Sequence, residues 1–209
     1  MKPGGVVSLK KFNVISFFCN NKLLILMIFV FVGGFLVSSI LAAGSKVDTV
    51  SKTIYNSYIS DRKDASFISI FFASFLKYLA ACIVCFLTGT SVGGIILSPI
   101  ISFSVGFYFG TLSSYLCSSY ALKGVAFNSV ILIPPALVFS LCILFAAREA
   151  FSFSSIMLRL TFPKSRPMNI SGEFKIYCGK FLLILIFVFI ASIIDAAISG
   201  SFIKYFSFV

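Results

Sequence analysis

The sequence predicts an all-α fold: a polytopic helical membrane protein with about five transmembrane helices and a cytoplasmic N-terminus. Two observations carry the fold class. Of the 209 residues 59% are hydrophobic, against about 45–50% in soluble domains. The few charged residues also leave three long stretches with none, Leu23 to Ser45, Tyr78 to Leu122 and Gly124 to Ala147, where one crossing of the hydrocarbon layer takes about 20 apolar residues. Orientation follows from the 17 basic residues, which sit at the ends of the apolar runs and outnumber six acidic ones. That placement is a topology signal and not a footprint for nucleic acid.

The elements follow in chain order. Residues 1–22 carry Lys2, Lys10, Lys11 and Lys22 without an acidic residue and form a cytoplasmic basic segment; residues 23–209 form a single transmembrane domain. The first span is Leu23 to Ala43. A secretory signal would have an apolar core of about 7–15 residues, so this longer run reads as an uncleaved span. Residues 44–65 hold four basic and three acidic residues among Ser, Asn and Tyr, which predicts a solvated external loop. The 45 uncharged residues from Tyr78 to Leu122 are about twice one span, so two helices meet there in a reversal. Gly89, Gly93, Gly94 and Pro99 place that reversal between Thr88 and Pro99. A fourth span runs from Gly124 to Ala147. The segment 148–180, with Pro163, Pro167 and six basic residues against two acidic, is a cytoplasmic connection, and Phe181 to Ile203 is the fifth span. Five spans put ten Lys and Arg on the N-terminal side and six on the other, with Lys77 inside or beside a span, which makes the N-terminal side cytoplasmic.

Three features of the spans stand out. Ser98, Ser102, Gly106, Gly110, Ser114 and Ser118 recur every four residues on one slowly rotating helix face, the pattern of a close helix-packing surface in lipid. Pro134 and Pro135 remove two backbone donors and predict a helix bend, either a hinge or a static kink. Asp195 lies eight residues before Ile203 and Lys77 eleven after Ser66, about 12 and 16 Å along a helix. An unpaired charge at such depth is costly, which suggests a Lys77–Asp195 ion pair. If the second span starts instead at Tyr78, then Lys77 sits at the interface and Ser66 to Leu76 is a surface helix.

Chemistry is scarce. With no histidine in the chain, His-ligated zinc sites and Ser-His dyads are excluded, and Asp195 has no second carboxylate in its span for aspartyl proteolysis. No catalytic, cofactor-binding or metal-binding residue is assigned. The six cysteines are scattered, so no disulfide framework is indicated; Cys82 and Cys85 have CxxC spacing within an apolar helix, where a thiol is unreactive.

The stretch from Phe86-Leu-Thr-Gly-Thr-Ser-Val-Gly-Gly94 through Ser104-Val-Gly-Phe-Tyr-Phe-Gly110 to Ile131-Leu-Ile-Pro-Pro135 resembles the core of the stage II sporulation protein M family. Gly106 and Phe107 match that family's GF pair, Gly110 its later glycine and Pro134 its helix proline. Ser104 and Val105 stand where a basic residue is common. The resemblance implies a multi-pass protein of the bacterial plasma membrane, a scaffold in lipid that holds peptidoglycan hydrolases during engulfment and has no enzymatic activity. The rival expectation is a transport component, either a permease subunit working with a separate ATPase or a small channel. In that case the proline bend and Asp195 would be its working parts.

Overall fold

A computed structural model describes residues 21–43, 48–62, 65–161 and 170–205. Among them all regular structure is helical: α1 (Lys22–Ala43), α2 (Asp48–Ser60), α3 (Phe67–Gly89), α4 (Gly94–Phe127), a π-helical turn (Asn128–Leu132), α5 (Ile133–Leu160), α6 (Ile170–Phe202) and a closing 3-10 turn (Ile203–Tyr205). The basic N-terminal stretch with Lys2, Lys10 and Lys11 lies outside the described residues, as do Pro163 and Pro167 of the expected connection.

Four continuous helical stretches are long and apolar enough to cross a membrane, and one of them, Gly94–Leu160, is 67 residues long. Straight, it would measure about 100 Å, three times the hydrocarbon layer. It is not straight. Ala121 has φ 46° and ψ −127°, the first central position of a type II′ turn, and the chain folds back on itself there. Asn128 Nδ2 donates to Ser113 Oγ at 2.7 Å, although fifteen residues of straight helix would separate them by about 22 Å. Gly124 lies so close to the Leu116 carbonyl that a Cβ would collide with it. The stretch is therefore two antiparallel crossings, and the bundle has five. An L-residue other than glycine held at such dihedrals costs about 1–3 kcal/mol. Ala121→Gly should accordingly raise stability by about 1 kcal/mol, read as a later unfolding midpoint, while Ala121→Val should lower it.

Contacts fix the directions. Met27 meets Ser102 and Ser39 meets Ser114, so α1 and α4 run parallel. Ser74 reaches Asp195 while Phe86 stacks on Tyr177, so α3 and α6 are antiparallel. One end of the bundle thus collects the start of α1, the α3–α4 turn, the end of α5 and the start of α6. The other collects α2, the Ala121 turn and the end of α6. Leu112, Leu116, Phe127, Ile131, Ile143 and Val188 form a closed centre between them.

The α3–α4 reversal occupies Thr90–Gly93, inside the expected window, and Pro99 falls within α4. α3 begins where Ser66 Oγ accepts the backbone N–H of Ser69 at 3.3 Å, a side-chain N-cap, so the second span includes Lys77. The π turn has a local cause. Pro134 and Pro135 offer no N–H to the carbonyls of Val130 and Ile131, and the preceding turn widens so that the Ile133 N–H bonds the Asn128 carbonyl five residues back.

Two expectations need correction. Residues 44–65 are not an open solvated loop, because 48–60 form α2 and bury one face of it. Nor is 148–180 a long connection: α5 continues to Leu160 and α6 starts at Ile170. The charges at Arg148 and Lys180 mark where the uncharged runs end, whereas the helices run on for twelve and ten residues, to Leu160 and Ile170, about 15–18 Å.

Candidate functional site

α2 is amphipathic. Ser51, Tyr55, Tyr58 and Ile59 are buried while Lys52, Thr53, Asn56, Ser57 and Ser60 are exposed, the three- and four-residue spacing of a helix laid on a surface. Tyr55 packs against Tyr115 and Tyr120 of α4, with centroids 5.0 and 5.8 Å apart. Two residues past the helix end, Arg62 continues the buried stripe and turns inward, with only 4% of its surface exposed.

Arg62 meets Asp195 of α6, which is completely buried. Asp195 Oδ2 accepts from Arg62 Nη2 at 2.5 Å, from Ser74 Oγ at 2.6 Å and from Tyr78 OH at 3.3 Å, while Oδ1 accepts from Ser199 Oγ at 3.1 Å. The guanidinium is equally occupied. Nε donates to Ser199 Oγ at 3.3 Å, Nη1 to the Tyr58 carbonyl at 3.0 Å, and the group lies 3.7 Å from the Tyr58 ring centroid, a cation–π distance. Tyr78 in turn stacks on Phe139 of α5 at 4.1 Å. Ser74 is seven residues from the start of α3 and Asp195 seven from the end of α6, so both lie about 10 Å inside the same end of the bundle.

A buried ion pair repays its desolvation only where the remaining lone pairs and protons are also satisfied, and here donors from α3, α6 and the α2–α3 connection do that. Burial works against the charge of Arg62 and the adjoining Asp195 favours it, and its pKa stands above the ordinary arginine value. Burial pushes the Tyr58 phenol up as well, away from ionisation. Every Asp195 oxygen is engaged by the protein itself, which makes the cluster a fastening between α2, α3 and α6.

The expected Lys77–Asp195 pair does not form. Lys77 pairs with Asp61, and both are partly exposed. Of the two placements left open for Lys77, the structure has the one with the helix starting at Ser66, but Lys77 does not face Asp195: Ser74 and Tyr78, one turn apart, take the face toward α6, and Lys77 is turned about 100° from Tyr78. Arg62 was hidden among the polar residues of 44–65. The signal that would have found it is the 51, 55, 58, 62 spacing, which runs from the buried face of α2 onto the arginine.

The small-residue row of α4 lies against α1. Ser98 and Ser102 are fully buried; a Cβ on Gly106 would strike the Phe31 carbonyl, and one on Gly110 the Ser38 hydroxyl and Phe35 backbone. Gly34 of α1 meets the Phe103 carbonyl in the same way. Ser114 Oγ reaches the Ser39 carbonyl at 3.5 Å, whereas Ser118 is exposed and takes no part. Pro135 is buried and Pro134 half-buried, at the start of α5. Cys82 and Cys85 are buried in α3.

A second polar group stands at the opposite end. Glu149, 7% exposed, accepts Arg148 Nη1 at 2.6 Å and Lys180 Nζ at 2.7 Å, and Arg148 Nη2 donates to Asn21 Oδ1 at 2.7 Å, tying α1, α5 and α6. Among the described residues no three His, Cys, Asp or Glu side chains are grouped to hold a metal ion.

Neither the curated proteins nor the solved structures compared with the chain gave a match. A family model did, the one described as stage II sporulation protein M, over residues 23–200. That match takes in nearly all of the five crossings, the α2 helix, the Arg62–Asp195 cluster and the Arg148, Glu149 and Lys180 side chains, and the chain belongs to the stage II sporulation protein M family.

Proposed function

We propose that this protein is a non-enzymatic scaffold of the bacterial plasma membrane that anchors peptidoglycan hydrolases during cell-envelope remodelling, with its N-terminus cytoplasmic and α2 on the wall side. The observation that carries the reading is the fastening of α2. A short amphipathic helix is held by Arg62 and Asp195 in a fixed place, and its polar face of Lys52, Thr53, Asn56, Ser57 and Ser60 is left exposed. A scaffold needs such a rigid, polar, accessible surface. The excess of basic residues at the opposite end supports the orientation. Transport through Asp195 is disfavoured because both carboxylate oxygens are taken by internal donors.

The test is co-purification from the native membrane. Wild-type protein should bring down a wall hydrolase, and Asn56→Lys with Ser57→Glu on the exposed face should reduce its recovery about ten-fold or more, the effect of losing a contact of roughly 1.4 kcal/mol, without changing the unfolding midpoint. If the purified chain moved a solute across liposomes and Asp195→Asn abolished that movement, the protein would be a transporter.

A further inference from the structure

Between α5 and α6 lies a groove of about 590 Å³ lined by Val138, Leu141, Phe145, Leu183, Ile184 and Phe187, with Glu149 and Lys180 at one end. From Glu149 to Val138 is eleven residues, about 16 Å along α5, close to half of the roughly 30 Å hydrocarbon layer. The groove therefore has the depth of one leaflet. We infer that it holds an acyl chain of an anionic phospholipid whose phosphate binds Lys180.

Charge and shape select this occupant. Arg148, Glu149 and Lys180 together carry one net positive charge. Both Glu149 oxygens are already taken, by Arg148 and by Lys180, so its carboxylate presents little free acceptor surface to an arriving phosphate. An ammonium has three donors, and Lys180 gives one to Glu149 while its side chain stays half exposed. Two donors remain, at the level where the uncharged run of α6 ends, which is the level of a lipid phosphate. A partner transmembrane helix fits less well. Such helices dock where small side chains let backbones approach, and this groove is walled by Leu, Ile, Phe and Val with one small residue, Cys142, among them. The glycines and serines of α4 that recur every four residues from Ser102 to Ser114 are spent against α1.

The chain contains no tryptophan, so one introduced indole reports on its surroundings without background. Phe187 is half exposed in the groove, and Phe29 of α1 is 77% exposed on an open face. Each stands seven residues past a lysine, Lys180 or Lys22, and hence at a matched depth of about 10 Å. Phe187→Trp and Phe29→Trp would be reconstituted in phosphatidylcholine vesicles holding a minor share of phosphatidylglycerol, with bromine on the chains of one lipid or the other. Quenching of the indole in the Phe187→Trp protein is expected to show about a five-fold enrichment of phosphatidylglycerol, the order expected for one basic residue near anionic lipid, and quenching in the Phe29→Trp protein none. Lys180→Gln should abolish the enrichment and Lys180→Arg keep it, with Leu183→Trp as the reporter if Phe187→Trp does not fold. Equal enrichment at both sites would mean only a diffuse basic surface. That result, no enrichment at the groove, or enrichment surviving Lys180→Gln would each overturn the proposal.

Discussion

Asp195→Ala is expected to destabilise the folded protein by about 3–5 kcal/mol, the cost of stranding a buried charge without its partner. Arg62 would keep its place among Tyr58, Ser74 and Ser199 but lose its counter-ion in a site with almost no access to water. The measurement is unfolding in a denaturing detergent followed by thiol labelling, because Cys82, Cys85 and Cys142 are buried in the folded bundle and react only when it opens. Arg62→Met should cost a similar amount, by leaving Asp195 alone. The double change Arg62→Met with Asp195→Leu should recover much of the loss, since an apolar pair of similar volume often replaces a buried ion pair without penalty. Lys77→Met provides the contrast. Its bridge to Asp61 is partly exposed, and pairs of that kind contribute about 1 kcal/mol or less. Equal effects at Lys77 and Asp195 would show that the buried pair does not hold the bundle.

Gly34→Ala is expected to cost about 1–3 kcal/mol, the range for forcing extra atoms into a packed interface, and more if α1 must lift away from α4 over its whole length. The added methyl would run into the Phe103 carbonyl, a backbone atom that cannot rotate aside. Gly106→Ala, against the Phe31 carbonyl, should match it from the other helix. The neighbouring Gly33→Ala has nothing within 4 Å of its new Cβ and should be neutral or stabilise the protein by up to about 1 kcal/mol, as helix propensity favours alanine. Two adjacent glycines with opposite outcomes, read by the same labelling assay, separate close packing from glycine content. A similar loss at both would remove the α1–α4 contact as the reason for the small residues.

The crossings were legible in the sequence because they depend on runs of apolar residues, and the gap in charge from Tyr78 to Leu122 was long enough to require two helices. Helix ends were less legible. Arg148 and Lys180 were read as the limits of α5 and α6, but charge marks the membrane edge, while a helix continues as long as its backbone hydrogen bonds are made; both go on past that edge. The partner of Asp195 was misassigned for a different reason. Rise per residue allowed Lys77 and Asp195 similar depths, yet ion pairing also depends on direction around the helix, and α3 turns Tyr78 and not Lys77 toward α6. Arg62 was missed because seven charges in a short segment resemble a solvated loop. Charge content describes the outward face of α2; the inward face is written in Tyr55, Tyr58 and Ile59, at intervals a composition count does not register.

The pairing of Arg62 with Asp195 also bears on how the protein is made. The two residues are 133 positions apart, and at about 5–20 residues per second the ribosome completes Arg62 on the order of ten seconds before Asp195 exists. Throughout that interval the segment after α2 cannot take its final place, since the carboxylate that neutralises it has not been synthesised. α6 therefore decides when α2 is fastened. A chain interrupted before α6 leaves the arginine without its counter-ion and α2 unfastened, so α2 takes its final place only on molecules in which α6 has been made.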